Sequence, residues 1–347
     1  MRFALLSFGL ILSGWVAQAL PVQSFEIEVQ TRFDVPDAER TLNIISTADT
    51  DLFTPLVVAF QSRNPTVSVN YVAVSSAELM KALQIEGAAF DLAVSSAMDL
   101  QTKLSNDGLT LPHKSPAVDL VPDWAKWRDQ VFAFTQEPAA FVVSRGAFDG
   151  LDVPRTRQDL ISLLRNHPDR FRGRVGTYDI RISGLGYLFA TQDARTSETY
   201  WRLMETMGNL SPRLYCCSGD MIDDVQSGQL AVAYNVLGSY ALARTDLADS
   251  IEVIEPRDFT TVMLRSAAIP KSAENPDLGG AFLDHLIRSS WSDAGQDYYP
   301  FPAISGDPDP DNATLRPIRL GPGLLVYLDS FKRARFLNEW EDAMTQR

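Results

Sequence analysis

Short apolar runs and longer amphipathic stretches alternate along the first third of the chain. The runs 41–46, 67–74 and 90–94 predict buried strands, because each is short, apolar and bounded by turn-forming residues. The stretch 52–63 predicts a helix that begins after the capping-type residues 47–50. Strands and helices that alternate at this spacing predict a parallel α/β unit with right-handed crossovers.

A second unit of the same kind follows an apolar segment that crosses into a new region. We predict the crossing out of the first unit over 131–134 and 139–143. Strands of the second unit are predicted over 175–179 and 230–235, and the crossing back to the first unit over 259–268. Two crossings between two α/β units predict a cleft with a paired hinge. The predicted fold class is therefore α/β, with two lobes, each an open mixed sheet flanked by helices, joined by two hinge strands.

These elements divide the chain into segments. We predict lobe I over 41–134 plus 260–305, and lobe II over 135–259. Residues 20–40 form an N-terminal arm of unassigned structure. Residues 306–347 are predicted to be an acidic loop followed by a C-terminal helix that packs on the lobes.

Residues 1–19 have the order of a secretory signal peptide. Arg2 is followed by an apolar run over 3–16 and by Ala17-Gln18-Ala19, so we expect cleavage after Ala19. No later segment reaches about 18 unbroken apolar residues, the length expected of a membrane-spanning helix. No cysteine directly follows the apolar run to carry a lipid anchor. We therefore expect a free protein of the periplasm.

Composition and charge narrow the classes of partner. The 347 residues are 45% hydrophobic, which is enough to bury large cores. The formal net charge of -13 argues against nucleic acid or an anionic membrane surface as the main partner. The overall charge still leaves room for a local basic pocket.

Hydroxyl groups follow the predicted strands where an open α/β sheet binds its ligands. Such ligands lie at the carboxyl ends of strands, beside helix N-termini. Thr47, Ser95 and Ser96 occupy these positions in the first unit, and Ser183 and Gly184 open a helix in the second. For any single hydroxyl a helix cap is the simpler interpretation, whereas several together favour a ligand site.

Two charged residues near these turns have two interpretations each. Arg181 lies beside the helix start at Ser183, where it fits either a charge-assisted contact with an anion or a surface salt bridge. Asp220 fits either a ligand contact or the cap of a helix over 221–225.

The sequence carries no motif for catalysis or for a resident metal. His113, His167 and His285 do not lie at ligand spacing from one another, and the phosphate-binding loop, hydrolase elbow and zinc-protease motifs do not occur. We therefore expect neither an enzyme nor a cofactor nor a metal.

Cys216 and Cys217 are adjacent and are the only cysteines. Neighbouring Cα atoms lie about 3.8 Å apart, below the usual range for a disulfide. We favour two partly buried thiols, and a vicinal disulfide is the alternative.

Segments spread along the chain resemble the type II extracellular solute-binding proteins of ABC transporters. The resemblance rests on residues 47–50, 91–99, 103–108, 178–179 with 183–187, and 233–240, which occur in the family's order. It is similar to the iron(III)-type branch, which includes the phosphoglycerate-transport regulatory binding component and hexose-phosphate binders. The resemblance implies the two-lobed type II periplasmic binding fold and, as partner, an ABC permease or the periplasmic domain of a sensor histidine kinase. We also expect a monomer.

One departure from that branch decides the expected ligand. Ferric-ion binders carry an adjacent tyrosine pair after the strand that corresponds to 230–235, whereas this chain has Gly238 and Ser239 there, and Tyr240 alone remains. We therefore expect an organic anion, phosphorylated ones included, with ferric-ion binding and an enzyme on the same scaffold as the alternatives. The expected ligand contacts are Thr47, Ser95, Ser96, Tyr178, Arg181, Ser183, Gly184, Asp220, Asn235, Gly238, Ser239 and Tyr240.

Overall fold

The computed structural model describes residues 24–291, 297–301, 304 and 314–345. The predicted signal peptide and the predicted acidic loop over 306–312 lie outside the described residues. Among the residues described, none of the helices combines the length and the apolar character that crossing a bilayer requires.

Two mixed β-sheets form the framework of the molecule. The strands are β1 (Val29–Phe33), β2 (Arg40–Ser46), β3 (Val67–Ala73), β4 (Leu92–Ser95), β5 (Thr110–Leu111), β6 (Lys126–Trp127), β7 (Val131–Ala133), β8 (Glu137–Ser144), β9 (Val175–Tyr178), β10 (Arg213–Tyr215), β11 (Val232–Leu237), β12 (Ile251–Ile254), β13 (Thr260–Met263), β14 (Ser266–Pro270) and β15 (Leu315–Pro317). The first sheet has the order β1-β3-β2-β4-β14-β7-β6, with β5 also paired to β14. The second has the order β10-β9-β11-β8-β13-β15, with β12 also paired to β8.

Helices cover both sheets. The α-helices are α1 (Thr50–Arg63), α2 (Ser76–Met80), α3 (Met98–Asn106), α4 (Arg157–Asn166), α5 (Pro168–Phe171), α6 (Gly184–Thr196), α7 (Thr199–Gly208), α8 (Ser218–Gln226), α9 (Gly238–Ala243), α10 (Pro276–Ser290) and α11 (Ser330–Thr345). A π-helical segment, Lys81–Ile85, continues α2, and a 3-10 segment, Pro322–Leu328, precedes α11.

The predicted parallel unit of the first lobe is confirmed. β2 pairs in parallel with β3 on one side and with β4 on the other. Its side chains alternate between two cores, since Leu42 and Ile44 pack into one cluster and Ile45 into another on the opposite face. Burial on both faces explains why these strands are nearly continuous apolar runs.

The N-terminal arm joins the first sheet. β1 pairs antiparallel with β3, with Val29 opposite Ala73, and so forms the edge strand of that sheet. This pairing brings Glu28, which donates its backbone N–H to Ala73 O, to the carboxyl end of β3. The arm thereby carries a charged side chain towards the gap between the lobes.

Two short crossings connect the sheets, from β7 to β8 and from β13 to β14. A buried ion pair ties the crossings together, because Arg265 Nε and Nη2 donate to the two carboxylate oxygens of Glu137 at 3.0 and 3.1 Å. The sequence-based boundary at residue 260 needs correction here. Residues Thr260–Met263 pair with β8 in the second sheet, so the return crossing follows Met263.

The C-terminal helix packs on the second lobe. Trp340 of α11 is buried in the same apolar cluster as Tyr200 and Met207 of α7. The contact is close, since a Cβ atom at Gly208 would lie 2.2 Å from Ala343 O. The preceding 3-10 segment contacts α3 of the first lobe, so the C-terminal region touches both lobes.

Candidate ligand-binding cleft

A cavity of about 440 Å³ lies between the two lobes. Its lining on the side of the first sheet consists of Glu28, Thr47, Asp49, Val74, Ser75, Ser76 and Ser96. Its lining on the side of the second sheet consists of Tyr178, Ile182, Ser183, Leu185, Cys216, Cys217, Ser218, Gly219, Asp220, Leu237 and Tyr240. This volume falls in the range of about 300–1,000 Å³ that is typical of sites for small molecules.

The first-lobe wall is built where β2 and β4 end. Thr47 Oγ1 accepts a hydrogen bond from Ser96 N–H at 3.1 Å and donates to Ser95 Oγ at 3.4 Å. Ser95 Oγ in turn accepts from Ala97 N–H at 3.1 Å. Thr47 and Ser96 face the cavity, whereas Ser95 lies behind them and holds the turn. Both parallel strands therefore deliver their terminal hydroxyls to one place, as their shared direction requires.

The second-lobe wall is built from helix starts. Ser183 caps α6, since its Oγ accepts from Gly186 N–H at 3.2 Å, and its side chain still lines the cavity. Tyr178, the last residue of β9, shares a hydrogen bond with Ser218 Oγ at the start of α8. Burial raises the pKa of Tyr178 well above its usual value, so this phenol stays protonated.

Several expected contacts lie outside this cavity. Arg181 pairs with Asp179 at 2.6 Å and with Glu341 at 3.5 Å. It therefore adopts the surface salt bridge rather than the contact with an anion. Asn235 has a left-handed backbone, with a φ of 61°, and donates its side-chain amide to the buried Asp193 at 2.9 Å. Its polar group is thus satisfied inside the second lobe.

The two residues after β11 also turn away from the cavity. Ser239 Oγ donates to Glu137 and joins the buried network of the hinge. At Gly238 a Cβ atom would approach Pro138 O at 3.3 Å, which marks close packing between the start of α9 and β8. Tyr240, the next residue, does line the cavity. Among these three neighbours, therefore, the start of α9 presents the tyrosine alone to the cavity.

Charged side chains in the cavity lining are all acidic. Glu28, Asp49 and Asp220 are exposed carboxylates at its opening, and we call them the acidic rim. Within the described lining there is no lysine, arginine or histidine. Partial burial raises the pKa of Glu28, and the charges of Asp49 and Asp220 raise it further. Partial burial also raises the pKa of Asp49. The charge of Arg265 opposes this rise, and the charge of Asp220 adds to it. The rim is thus a mutually repelling negative cluster.

Asp220 illustrates how the sequence left two interpretations open. It lies in the first turn of α8, where a carboxylate favours the helix dipole, and it also lines the cavity. The N-cap itself is Cys217, so the cap expected of Asp220 is occupied by another residue.

Hydrogen bonds link the lobes across the cavity. Gly184 N–H donates to Ser76 Oγ at 2.9 Å, and Asp49 N–H donates to Tyr240 Oη at 3.4 Å. Gly184 allows this approach because it has no side chain. A Cβ atom at this position would lie 2.5 Å from Ser76 Oγ. The structure is therefore a closed arrangement of the two lobes.

Tyr240 stands where the cavity meets the hinge. Burial raises its pKa to about 12, although the guanidinium of Arg265 opposes the shift. That guanidinium carbon lies 5.8 Å from the centre of the Tyr240 ring. The phenol is accordingly a neutral hydrogen-bonding group at ordinary pH.

The expectation of two free thiols is wrong, because Cys216 and Cys217 form a disulfide. Their Cα atoms lie 3.8 Å apart, as those of any neighbours do. The chain turns from β10 into α8 at this pair, and both residues face the same cavity. The usual Cα range for disulfides describes cysteines distant in sequence and does not exclude this pairing.

Sequence reasoning missed several lining residues. Asp49 and Ser76 follow the same rule as Thr47, since each lies at the helix start that follows a parallel strand. Ser218 is adjacent to the cysteine pair and begins a helix. Glu28 carried no local signal, because only the pairing of β1 with β3 brings it to the cleft.

Comparison with known proteins agrees with this architecture. The model of the bacterial extracellular solute-binding protein family matches residues 46–291. A search of curated proteins found no match. A substrate binding protein of an ABC transporter from Agrobacterium tumefaciens is 33% identical, with a TM-score of 0.83, over 91% of this chain and 98% of that one.

More distant solved structures share the fold. The periplasmic binding protein AfuA from Actinobacillus pleuropneumoniae, with exogenous fructose-6-phosphate bound, is 17% identical with a TM-score of 0.69, over 89% of this chain and 100% of its own. Iron-bound HitA from Pseudomonas aeruginosa is 16% identical with a TM-score of 0.63, over 87% and 99%. With its two sheets, paired crossings and inter-lobe cavity, the chain therefore belongs to the bacterial extracellular solute-binding proteins, and it is a solute-binding protein of the ABC-transporter type with the type II periplasmic binding fold.

Proposed function

We propose that the protein captures a small hydroxylated ligand that carries a positively charged group, and that it delivers this ligand to an ABC permease. The observation that carries the proposal is the charge of the cavity. Its opening has three carboxylates from both lobes, and its described lining has no cationic side chain. The walls beneath include the hydroxyls of Thr47 and Ser96 on one side and of Ser183 on the other.

An organic anion, the ligand expected from the sequence, is less well matched. Arg181, the candidate partner of an anion, pairs with Asp179 outside the cavity. The N-terminus of α8 offers backbone N–H groups, which favour negative charge. Asp220 lies in the first turn of that helix and opposes the effect. An ammonium group between the rim carboxylates would instead relieve their mutual repulsion.

A matched trio of sugars tests the charge of the ligand. Glucosamine, glucose and glucose 6-phosphate share a ring and differ in charge. Thermal unfolding with each sugar therefore isolates the contribution of ligand charge to binding. A ligand at 100 times its Kd stabilises a protein by about 2.7 kcal/mol. We expect glucosamine to raise the melting temperature most and the phosphate least. The reverse order would refute the cationic assignment and favour the organic anion.

Rim variants separate charge from packing. Asp220→Asn keeps the size of the side chain and removes one charge, so it should reduce the preference for the amine by about fivefold, as expected for an ion pair worth about 1 kcal/mol. Asp223→Asn is the matched control, because Asp223 lies on the same helix and pairs with Arg244 at 3.1 Å. An equal effect of both substitutions would contradict a role for the rim.

Ferric-ion binding is a second candidate, since the phenols of Tyr178 and Tyr240 share the cavity with the three carboxylates. Phenolates and carboxylates are hard oxygen donors. However, burial raises the pKa of both phenols, which opposes loss of their protons. We expect no visible charge-transfer colour when ferric citrate is added. A coloured complex that Tyr240→Phe abolishes would favour iron.

We propose binding without catalysis, in a monomer located in the periplasm. Ser183 Oγ accepts the N–H of Gly186 as the cap of α6, which suits positioning rather than nucleophilic attack. Presentation of the closed state to a sensor kinase is an alternative to delivery. Recovery of a bound ligand chemically unchanged, together with the mass of a monomer in light scattering, would support these points. A modified ligand or a dimer would contradict them.

A further inference from the structure

The Cys216–Cys217 disulfide lies in the wall of the ligand cavity and beside Asp220. Cys216 is exposed, and its Sγ atom lies 3.8 Å from Asp220 Oδ2. The two sulfur atoms and a carboxylate oxygen of Asp220 all lie within 4.8 Å of one another. Three potential metal-ligand atoms therefore converge at one edge of the cavity.

We propose that reduction of this disulfide creates a site for a thiophilic divalent cation, such as Zn²⁺ or Cd²⁺, held by Cys216, Cys217 and Asp220. In the oxidised protein the sulfur atoms are bonded to each other and do not coordinate. The pair thus makes cation binding at the mouth of the cavity depend on redox state.

The chemistry of the switch balances. A dithiol reductant donates two electrons and two protons, becomes a disulfide itself, and leaves Cys216 and Cys217 as thiols. Binding of the cation then releases the two thiol protons, because thiolates are the metal ligands. The oxidised pair is the state that an oxidising compartment maintains.

The geometry suits a zinc-type ion after a small rearrangement. Zinc binds thiolate sulfur at about 2.3 Å and carboxylate oxygen at about 2.0–2.2 Å, so its tetrahedral ligands lie about 3.5–4 Å apart. The three donors are already gathered within 4.8 Å, and Cys216 and Asp220 have exposed side chains that can adjust. Water completes a fourth position in an open site.

The acidic rim favours a cation, and the start of α8 favours the thiolates that hold it. Cys217 is the N-cap of α8, and a helix N-terminus stabilises a thiolate. Glu28 and Asp49 line the same cavity, and the charge of Asp220 acts on both carboxyls. A divalent ion would offset this negative charge.

The disulfide contributes little to the global fold, which makes the test practicable. In the chain-entropy model, stabilisation by a disulfide grows with the length of the loop it closes, and here no residue lies between the cysteines. We therefore expect the reduced protein to remain folded.

Cadmium titration of the full mature chain tests the proposal without the organic ligand. The protein is reduced with a phosphine, freed of reductant and titrated with Cd²⁺, while the thiolate-to-cadmium absorption band is recorded. We expect one equivalent to bind the reduced protein and none to produce the band in the oxidised protein. Absence of the band in the folded reduced protein would overturn the proposal.

Variants identify the ligands. Cys216→Ser with Cys217→Ser should abolish the band, and Asp220→Asn should weaken Cd²⁺ binding at least about tenfold, since even outer partners of metal ligands contribute about 10- to 100-fold. Asp223→Asn serves as the control on the same helix and should bind normally. Equal affinity of the two asparagine variants would remove Asp220 from the site and overturn the three-ligand assignment. Because no sugar is present, failure here leaves the proposed transport function untouched.

Discussion

Gly184 provides the sharpest test of the closed arrangement. It is the first residue of α6 in the second lobe, and its N–H donates to Ser76 Oγ in the first lobe. A Cβ atom there would lie 2.5 Å from Ser76 Oγ, 2.9 Å from Ser76 Cβ and 3.0 Å from Leu100 Cδ1. All three atoms belong to the opposite lobe. Gly184→Ala should therefore disfavour closure and leave the fold of each lobe intact.

The expected cost follows from overpacking. Forcing an extra methyl group into a close-packed contact costs about 1–3 kcal/mol. Loss of the Ser76–Gly184 hydrogen bond would add about 0.5–1.5 kcal/mol if the lobes separate. Since a ligand held by both lobes depends on the closed state, the first term alone should raise its Kd about 5- to 150-fold.

Calorimetric titration of the ligand that co-purifies with the wild type measures this change, and small-angle scattering measures the closure. Gly219→Ala is the matched control, because Gly219 lines the same cavity and a Cβ atom there would meet nothing within 4 Å. Ser76→Gly in the Gly184→Ala background should restore room and part of the affinity. Wild-type affinity in Gly184→Ala with unchanged scattering would refute the role of the Ser76–Gly184 contact in closure.

Three further substitutions address stability. Glu137→Gln leaves the buried Arg265 without its ion pair. Urea titration should show a free energy of unfolding lower by about 3–5 kcal/mol, and a change under about 1 kcal/mol would contradict the role of the pair. Burial raises the pKa of Asp99 to about 7, so the folded state holds the proton of this carboxyl more tightly than the unfolded state does. The free energy of unfolding should therefore fall as pH rises from about 4 to about 7. Asp99→Asn should lose this dependence on pH, and an unchanged pH profile in the variant would contradict the role of Asp99. Gly208→Ala would place a Cβ atom 2.2 Å from Ala343 O. Thermal unfolding should show a free energy of unfolding lower by about 1–3 kcal/mol, and unaltered unfolding would contradict the close packing of α11.

The sequence determined the local elements of the first lobe. Apolar runs with turn residues located β2, β3 and β4, and their common direction predicted that the hydroxyls of Thr47 and Ser96 meet at one edge. The period of the apolar residues and the ends of the elements are local properties of the sequence, because hydrophobic alternation and capping residues act over a few positions. The same reasoning located Ser183 as the cap of α6 beside the cleft.

Tertiary structure decided the charge of the site. Glu28 reaches the cavity because β1 pairs with β3, and Arg181 leaves it because Asp179 and Glu341 lie within reach. Neither outcome is visible in local pattern, since an ion pair forms between whichever opposite charges the fold brings together. The disulfide between Cys216 and Cys217 likewise depended on how the chain turns into α8. The sequence thus specified two α/β lobes from short-range periodicity, and its resemblance to solute-binding proteins indicated a binder. The acidic opening and the contacts across the cleft arise instead from residues that become neighbours only in three dimensions.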